Sequence, residues 1–368
     1  MKISIGSRII NGPWGGGNLF VINLTKYLEN NGHIVIDNLS HSDIDLILLT
    51  DPRSRNESTS TFNHIDIANY KKYVNPNTVV VQRINECDER KETEGINRFY
   101  LEASHCADQV IFVSKWLESI YLNLGMRIDK TKVILSGSDP NIFWSNNNET
   151  IIPEKFRIVT HHWSSHINKG FKEYFFLDEL LENKYWRDLI EFTYIGNLSE
   201  NQQFKNVNVL EPLSGVELAK ELRNHHIYVT GSVNEPSGNH HIEGALCGLP
   251  ILYKNSGGIP EYCHGYGVSF EEDFEDKLKN IIENYEKYKK NINNYPFKSD
   301  VMCAEYLISF NALVTNRIKQ REISKFNFKS LVFRMNHLMF DIYLFNLKDR
   351  LKNLIILIFK IIGFKKWI

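Results

Sequence analysis

The chain has 368 residues, 42% hydrophobic and 24% charged, as expected of a soluble globular protein with room for two domains and an appendage. Its 43 basic and 44 acidic residues leave a net charge of -1, which gives no global reason for nucleic-acid binding. Cys87, Cys106, Cys247, Cys263 and Cys303 are scattered without a CxxC pair, which argues for a reducing compartment and against a disulfide framework or a structural zinc site.

Apolar runs and amphipathic stretches alternate from the start. Residues 1–6 are too short and too quickly polar for a signal peptide and predict a first buried strand over 2–6. A glycine loop at Gly15–Gly17 leads into a helix over 19–30, whose apolar positions are Leu19, Ile22, Leu24, Tyr27 and Leu28 and which Gly32 ends. Further strands are predicted over 33–36, 44–49, 78–82, 109–113 and 132–135. The polar stretch 146–150 punctuates the chain, and a second alternating series follows, with strands over 156–160, 191–195, 207–210, 227–230 and 250–253. Such alternation predicts parallel βαβ units in two successive α/β domains, 1–150 and 151–322, with ligand in the cleft at the carboxyl ends of the strands. A last helix at about 299–318 is expected to pack back toward the first domain. The tail, 323–368, is basic and apolar. Its end, 351–368, is interrupted by Lys352 and Lys360 and closed by Lys365 and Lys366. It reads either as an interfacial amphipathic helix or as a helix docked on protein, and no apolar run is long enough for a spanning helix.

Several stretches carry chemistry. Gly15-Gly16-Gly17 opens a helix, where backbone can approach an anion. His161-His162-Trp163-Ser164-Ser165-His166-Ile167-Asn168-Lys169-Gly170 follows a strand. Glu235-Pro236-Ser237-Gly238-Asn239-His240-His241-Ile242-Glu243 sets two carboxylates eight positions apart across a turn and a helix start, and Gly248 ends that helix. A second glycine loop, Gly257-Gly258-Ile259-Pro260-Glu261, repeats the arrangement, with Pro260 suited to open a helix. Carboxylates suit vicinal hydroxyls, and helix N-termini suit phosphate. The segment 82–90, rich in Arg, Asn and Glu, follows a strand directly. It reads either as a cleft-facing patch or as a loop with internal ion pairs.

The order and spacing of these stretches resemble the retaining, family-4 glycosyltransferases over roughly 1–265. The glycine pair followed by Leu24, Leu28 and Gly32-His33, the run Val110 to Leu117, the run Val133 to Phe143, and above all Glu235 to Glu261 carry the resemblance. It implies a GT-B fold, two Rossmann-like domains with parallel sheets facing a central cleft, here with a helical C-terminal tail. It also implies transfer of a sugar from a nucleoside-diphosphate sugar to an acceptor hydroxyl. Lys169 is implied to bind the donor diphosphate, Glu243 the ribose hydroxyls, and Glu235 the donor sugar. The donor site extends to Gly16, Gly17, His161, His162, Ser164, Leu213, Val216, Ser237, Gly238, Asn239, Ile242, Gly257 and Gly258. Ser164 stands where such enzymes place an arginine, and the segment 82–90 lacks their usual histidine. Arg83 is taken as a catalytic substitute, and Asn85 and Glu86 as acceptor-binding. No metal or cofactor is expected, only the nucleotide sugar, and no nucleic acid. The acceptor is expected to be a glycan or a lipid-linked glycan, in a cytoplasmic enzyme of surface-polysaccharide or lipopolysaccharide assembly, peripheral to the membrane through 351–368. The alternative is a catalytically silent GT-B module that binds a nucleotide sugar or a protein partner. An epimerase or phosphorylase of the same fold is less supported by the spacings.

Overall fold

The computed structural model describes residues 1–10, 12, 15–53, 59–146 and 152–320. The expected tail over 323–368, including 351–368, lies outside the described residues.

The first sheet comprises β1 (Lys2–Ile5), β2 (Ile34–Ile36), β3 (Leu46–Leu49), β4 (Val79–Ile84), β5 (Gln109–Phe112) and β6 (Thr131–Val133). Its order is β2-β1-β3-β4-β5-β6, and every pair is parallel. Around it lie α1 (Gly16–Asn30), α2 (His64–Tyr73), α3 (Ile96–Ala103) and α4 (Lys115–Asn123). The second sheet comprises β7 (Phe156–His162), β8 (Ile190–Gly196), β9 (Asn208–Leu210), β10 (Ile227–Thr230), β11 (Ile251–Lys254) and β12 (Gly267–Phe270). Its order is β12-β11-β10-β7-β8-β9, again parallel throughout. Its helices are α5 (Phe171–Leu180), α6 (Lys184–Leu189), α7 (Gly215–Leu222), α8 (Asn239–Leu246), α9 (Ile259–Cys263), α10 (Phe274–Glu283) and α11 (Tyr285–Ile292). The last helix of the described chain is α12 (Ser299–Gln320).

The central strands are buried on both faces, as helix-covered parallel strands must be, and so they read as continuous apolar runs such as Leu46–Leu49. Two differences from the sequence reading have plain causes. Gly16 and Gly17 are not loop residues but the first turn of α1, where N–H groups need no intrahelical partner. The strand β12 was not expected. It is an edge strand whose Ser269 faces solvent between buried Val268 and Phe270, too short an alternation to stand out.

The chain ends its described course on the first domain. Met302, Cys303, Tyr306 and Phe310 of α12 join the core formed by Ile3, Ile5, Phe20, Val21 and Leu24. The Phe20 and Tyr306 rings lie 5.1 Å apart. The return crossing is tight at Gly137, where a Cβ would strike the Lys298 carbonyl.

The strand order determines where the loops converge. In the second sheet the strand order reverses between β7 and β10, so the loops leaving those two strands open a crevice at their carboxyl ends. In the first sheet the reversal lies between β1 and β3, and the connection from β1 leads into the glycine start of α1.

Candidate active site

The loop after β7 closes in a single 3₁₀ turn, Ile167–Lys169, and Gly170 then adopts φ 101°. A side chain at Gly170 would also strike the backbone of Gly231 at 2.7 Å, so glycine is required there twice over. This close approach lets the β7 and β10 loops be stitched together. Val233 N donates to the Asn168 carbonyl at 2.8 Å, and the Ser232 hydroxyl donates to the Lys169 carbonyl at 3.3 Å. The stitching carries Lys169 onto Glu235, and the Lys169 Nζ donates to Glu235 Oε2.

A second cation reaches the same carboxylate from the other domain. Arg90 Nε lies 3.2 Å from Glu235 Oε1, out of hydrogen-bond alignment, while its Nη1 meets Glu86 Oε2 at 3.2 Å. Burial would push the Glu235 carboxyl up, but Arg90 and then Lys169 outweigh it and hold the group at about 2. Burial lowers the Lys169 ammonium below its ordinary range, and Glu235 works against that shift. Burial also opposes the charge on Arg90, yet Glu235 and Glu86 keep it raised and firmly protonated.

Arg90 is held in place by its loop. The Asp88 carboxylate accepts from the N–H groups of Ile96 and Asn97, both at 2.9 Å, and its own N–H donates to Asn97 Oδ1 at 2.9 Å. The loop is then tied across the cleft. Asn234 Nδ2 donates to the Glu89 carbonyl at 3.1 Å, and Asn168 Nδ2 to the Arg90 carbonyl at 3.4 Å.

The second glutamate of the pair, Glu243, lies buried on α8, with Oε2 at 2.9 Å from His161 Nε2. His161 Nδ1 is in turn 3.1 Å from the Tyr228 hydroxyl. His162 Nε2 shares a 2.7 Å hydrogen bond with the Tyr174 hydroxyl, and His240 Nε2 a 2.9 Å one with the Thr230 hydroxyl. The His162 and His240 rings stand 4.6 Å apart. Burial, then Lys169, holds His162 well below its usual range, and burial, then His162, does the same for His240. His241 is fully buried, neither ring nitrogen has a hydrogen-bond partner, and burial brings it down to about 3. These rings are therefore neutral near pH 7.

Other expected site residues fall as follows. Ser237, Gly238 and Asn239 form the start of α8, whose N-cap Gly238 supplies no side-chain cap to its first N–H groups. Across the cleft lies Gly16, where a Cβ would stand 3.0 Å from Asn239 Cγ, and Gly17 is open. Gly257, at φ 64°, packs against the backbone of Glu235, and the Gly258 N–H donates to the Glu235 carbonyl at 2.9 Å. Ser164 supplies no cation. Its hydroxyl accepts from the His166 N–H at 3.3 Å. Leu213 packs partly buried on the core, and Val216 in the first turn of α7 is 67% exposed. Asn85 lies half-buried just after β4.

Three of the expected residues are engaged within the protein. Ile242 contributes its side chain to the core rather than to a ligand surface, since it points inward from α8 with Ala245 and Leu246. Arg83 is buried in β4 with its guanidinium 4.1 Å from the centre of the Phe20 ring of α1. Glu86 is engaged by Arg90 at 3.2 Å and by the Cys87 N–H at 3.3 Å. Arg90 was quoted within the segment 82–90 without a role. Its contact with Glu235 depends on domain docking, which periodicity does not encode. Among the described residues no three His, Cys, Asp or Glu side chains are grouped to hold a metal ion, and no helix is long and apolar enough to cross a membrane.

Two parallel six-stranded sheets facing one cleft are the GT-B architecture of glycosyltransferases, and comparison with solved structures agrees. HepE of Anabaena, solved with UDP and glucose, superposes with a TM-score of 0.61 at 17% identity over 85% of this chain and 100% of that one. A glycosyltransferase from Rickettsia africae gives 0.62 at 15% identity, covering 86% and 98%. The catalytic domain of starch synthase IV from Arabidopsis thaliana, bound to ADP and acarbose, gives 0.62 at 11% identity, covering 85% and 99%. Residues 191–296, which hold Glu235, Glu243 and the glycine loop 257–261, match the family described as Glycosyl transferases group 1. No curated protein matches the chain.

Proposed function

We propose that the protein is a retaining glycosyltransferase that moves a hexose-type sugar from a nucleoside-diphosphate sugar to an acceptor hydroxyl. The observation that carries this reading is the meeting of Lys169 and Glu235 at the switch point of the second sheet, beside the uncapped start of α8. Lys169 and the first N–H groups of α8 would receive the diphosphate and offset the charge that grows on it as the sugar departs. Glu235 would orient the sugar hydroxyls, and Glu243, held by His161, the ribose diol. The acceptor oxygen bonds to the anomeric carbon as the bond to phosphate breaks, and the departing phosphate oxygen takes the acceptor proton. This scheme assigns charge neutralisation to the chain's own groups and calls for no metal. The family match over 191–296 and the nucleotide-bound relatives of the same fold support it.

By the same reading the acceptor is a glycan or lipid-linked glycan of surface-polysaccharide or lipopolysaccharide assembly. The enzyme would work at the inner face of the membrane, with 351–368 as its contact. The test is release of nucleoside diphosphate from a panel of UDP-, GDP-, ADP- and CDP-sugars, with the anomeric configuration of any product followed by NMR. Turnover with one donor, abolished in Lys169→Ala and giving the donor's own configuration, is the expected result. An inverted product would overturn retention, and turnover that survives Lys169→Ala would overturn the site.

A further inference from the structure

Two cations address one carboxylate from opposite sides of the cleft, Lys169 on Oε2 and Arg90 on Oε1 of Glu235. They come from different domains, and nothing in either domain's own folding requires them to meet. Burial lowers the Lys169 ammonium most, and Arg90 is among the groups that lower it further. The Arg90 guanidinium is only partly used. Nη1 is satisfied by Glu86, while Nε is buried without an aligned acceptor although Glu235 Oε1 lies 3.2 Å away. Its loop is nonetheless fixed by Asp88 and Asn97 on one side and by Asn168 and Asn234 on the other. A rigidly placed, incompletely paired guanidinium beside an ammonium is a site for a multivalent oxyanion.

Ser164 is uncharged, and the three imidazoles of His162, His240 and His241 are buried and neutral. Without Arg90, the group of Glu86, Glu235 and Lys169 would carry a net negative charge and repel a diphosphate. We propose that Arg90 is the second cation of the donor diphosphate site, delivered across the cleft by the first domain. The nucleotide would then be gripped by both domains at once, which rests on the donor-site reading above. It also makes donor binding favour the docked arrangement of the domains, since only that arrangement brings Arg90 to Lys169.

The experiment is calorimetric titration of the full chain with UDP, GDP, ADP and CDP, then with the nucleoside of whichever diphosphate binds. Wild type is compared with Arg90→Gln, Arg90→Lys and Lys169→Gln, each checked for an intact thermal transition. Arg90→Gln should weaken the diphosphate by about 10- to 100-fold, the scale of a lost charge-assisted hydrogen-bond pair, and leave the nucleoside unchanged. Arg90→Lys should fall between, since it restores the charge without the fork. If Arg90→Gln binds the diphosphate as tightly as wild type, or loses nucleoside and diphosphate equally, Arg90 does not contact the phosphates. If Arg90→Gln does not fold, the same comparison read on Arg90→Lys decides. If wild type binds no diphosphate while remaining folded, the donor-site reading itself fails.

Discussion

Glu261, in the second domain, caps a helix of the first. Its Oε2 and Oε1 accept from the backbone N–H groups of Lys115 and Trp116, each at 2.8 Å, at the start of α4. Ser114 caps the next donor, that of Leu117, at 3.2 Å. Three of the four orphan donors of α4 are thus satisfied, two of them across the domain boundary. The adjacent Tyr262 hydroxyl donates to the Val113 carbonyl and accepts from the Ser136 N–H at 2.9 Å. Helix α9 is therefore a peg in the first domain as well as part of the glycine loop that touches Glu235.

Glu261→Ala should weaken this docking. The expected loss is about 1–2 kcal/mol in chemical denaturation, from two cap hydrogen bonds and a carboxylate at a helix N-terminus. Glu261→Gln should cost less, because one amide oxygen still accepts. Equal stability of all three proteins would show that the contact is incidental.

Gly258 offers a complementary test by steric means. A Cβ there would meet the Ser114 Oγ at 2.7 Å and the Pro236 carbonyl oxygen, the one from the first domain and the other from the β10–α8 loop. Its φ of -84° is ordinary, so the effect of Gly258→Ala is the clash and not backbone strain. We expect about 1–3 kcal/mol of destabilisation and a larger radius of gyration in solution scattering as the domains part. An unchanged scattering profile would mean that the loop yields and the domains stay docked.

How much of this was legible in the sequence differs by level. Strand β3 announces itself because burial on both faces demands an unbroken apolar run, Leu46–Leu49, and β4 opens on another, Val79–Val81, before Gln82 and Arg83. Within β4, however, alternation decides which way each residue points, and nothing local said that Arg83 turns onto Phe20. Lys169 and Glu235 were named from separate motifs. That they touch follows from the reversal between β7 and β10, a property of strand order that no local pattern carries. Arg90 is less accessible still. It is one charged residue among several in 82–90, and its meeting with Glu235 is decided by how two domains pack.

Glu243 separates binding from folding when substituted two ways. Glu243→Ala removes any ligand contact and also strands the buried His161 Nε2 that Oε2 now faces at 2.9 Å. It should lower both nucleotide affinity and stability, each by about 1–3 kcal/mol. Glu243→Gln keeps an acceptor for His161 and so should leave stability near wild type while still weakening the nucleotide. If Glu243→Gln binds nucleotide with unchanged affinity, the ribose assignment is wrong.

The buried imidazoles predict an acid limit to stability. Burial brings His241 down to about 3 and also lowers His162 and His240. In the unfolded chain each would take up a proton near its ordinary value of about 6.5. Between the folded and unfolded values the unfolded state binds more protons, so stability is full above about pH 6.5 and falls as the pH drops below it. Each such histidine contributes a slope of up to about 1.4 kcal/mol per pH unit, and Glu235, at about 2, adds its own loss only as the pH falls below its ordinary carboxyl range. His241 is the informative position, because neither of its nitrogens has a partner to lose. His241→Leu should remove one histidine's share of the slope and, by relieving an unsatisfied buried polar ring beside Tyr262, leave the protein at least as stable at pH 7.5. Denaturation of both proteins at pH 5 and pH 7.5 reads this directly. A variant with the wild-type slope would mean that the His241 ring is not a neutral passenger of the fold, and a variant less stable at pH 7.5 would mean that its nitrogens are paired after all.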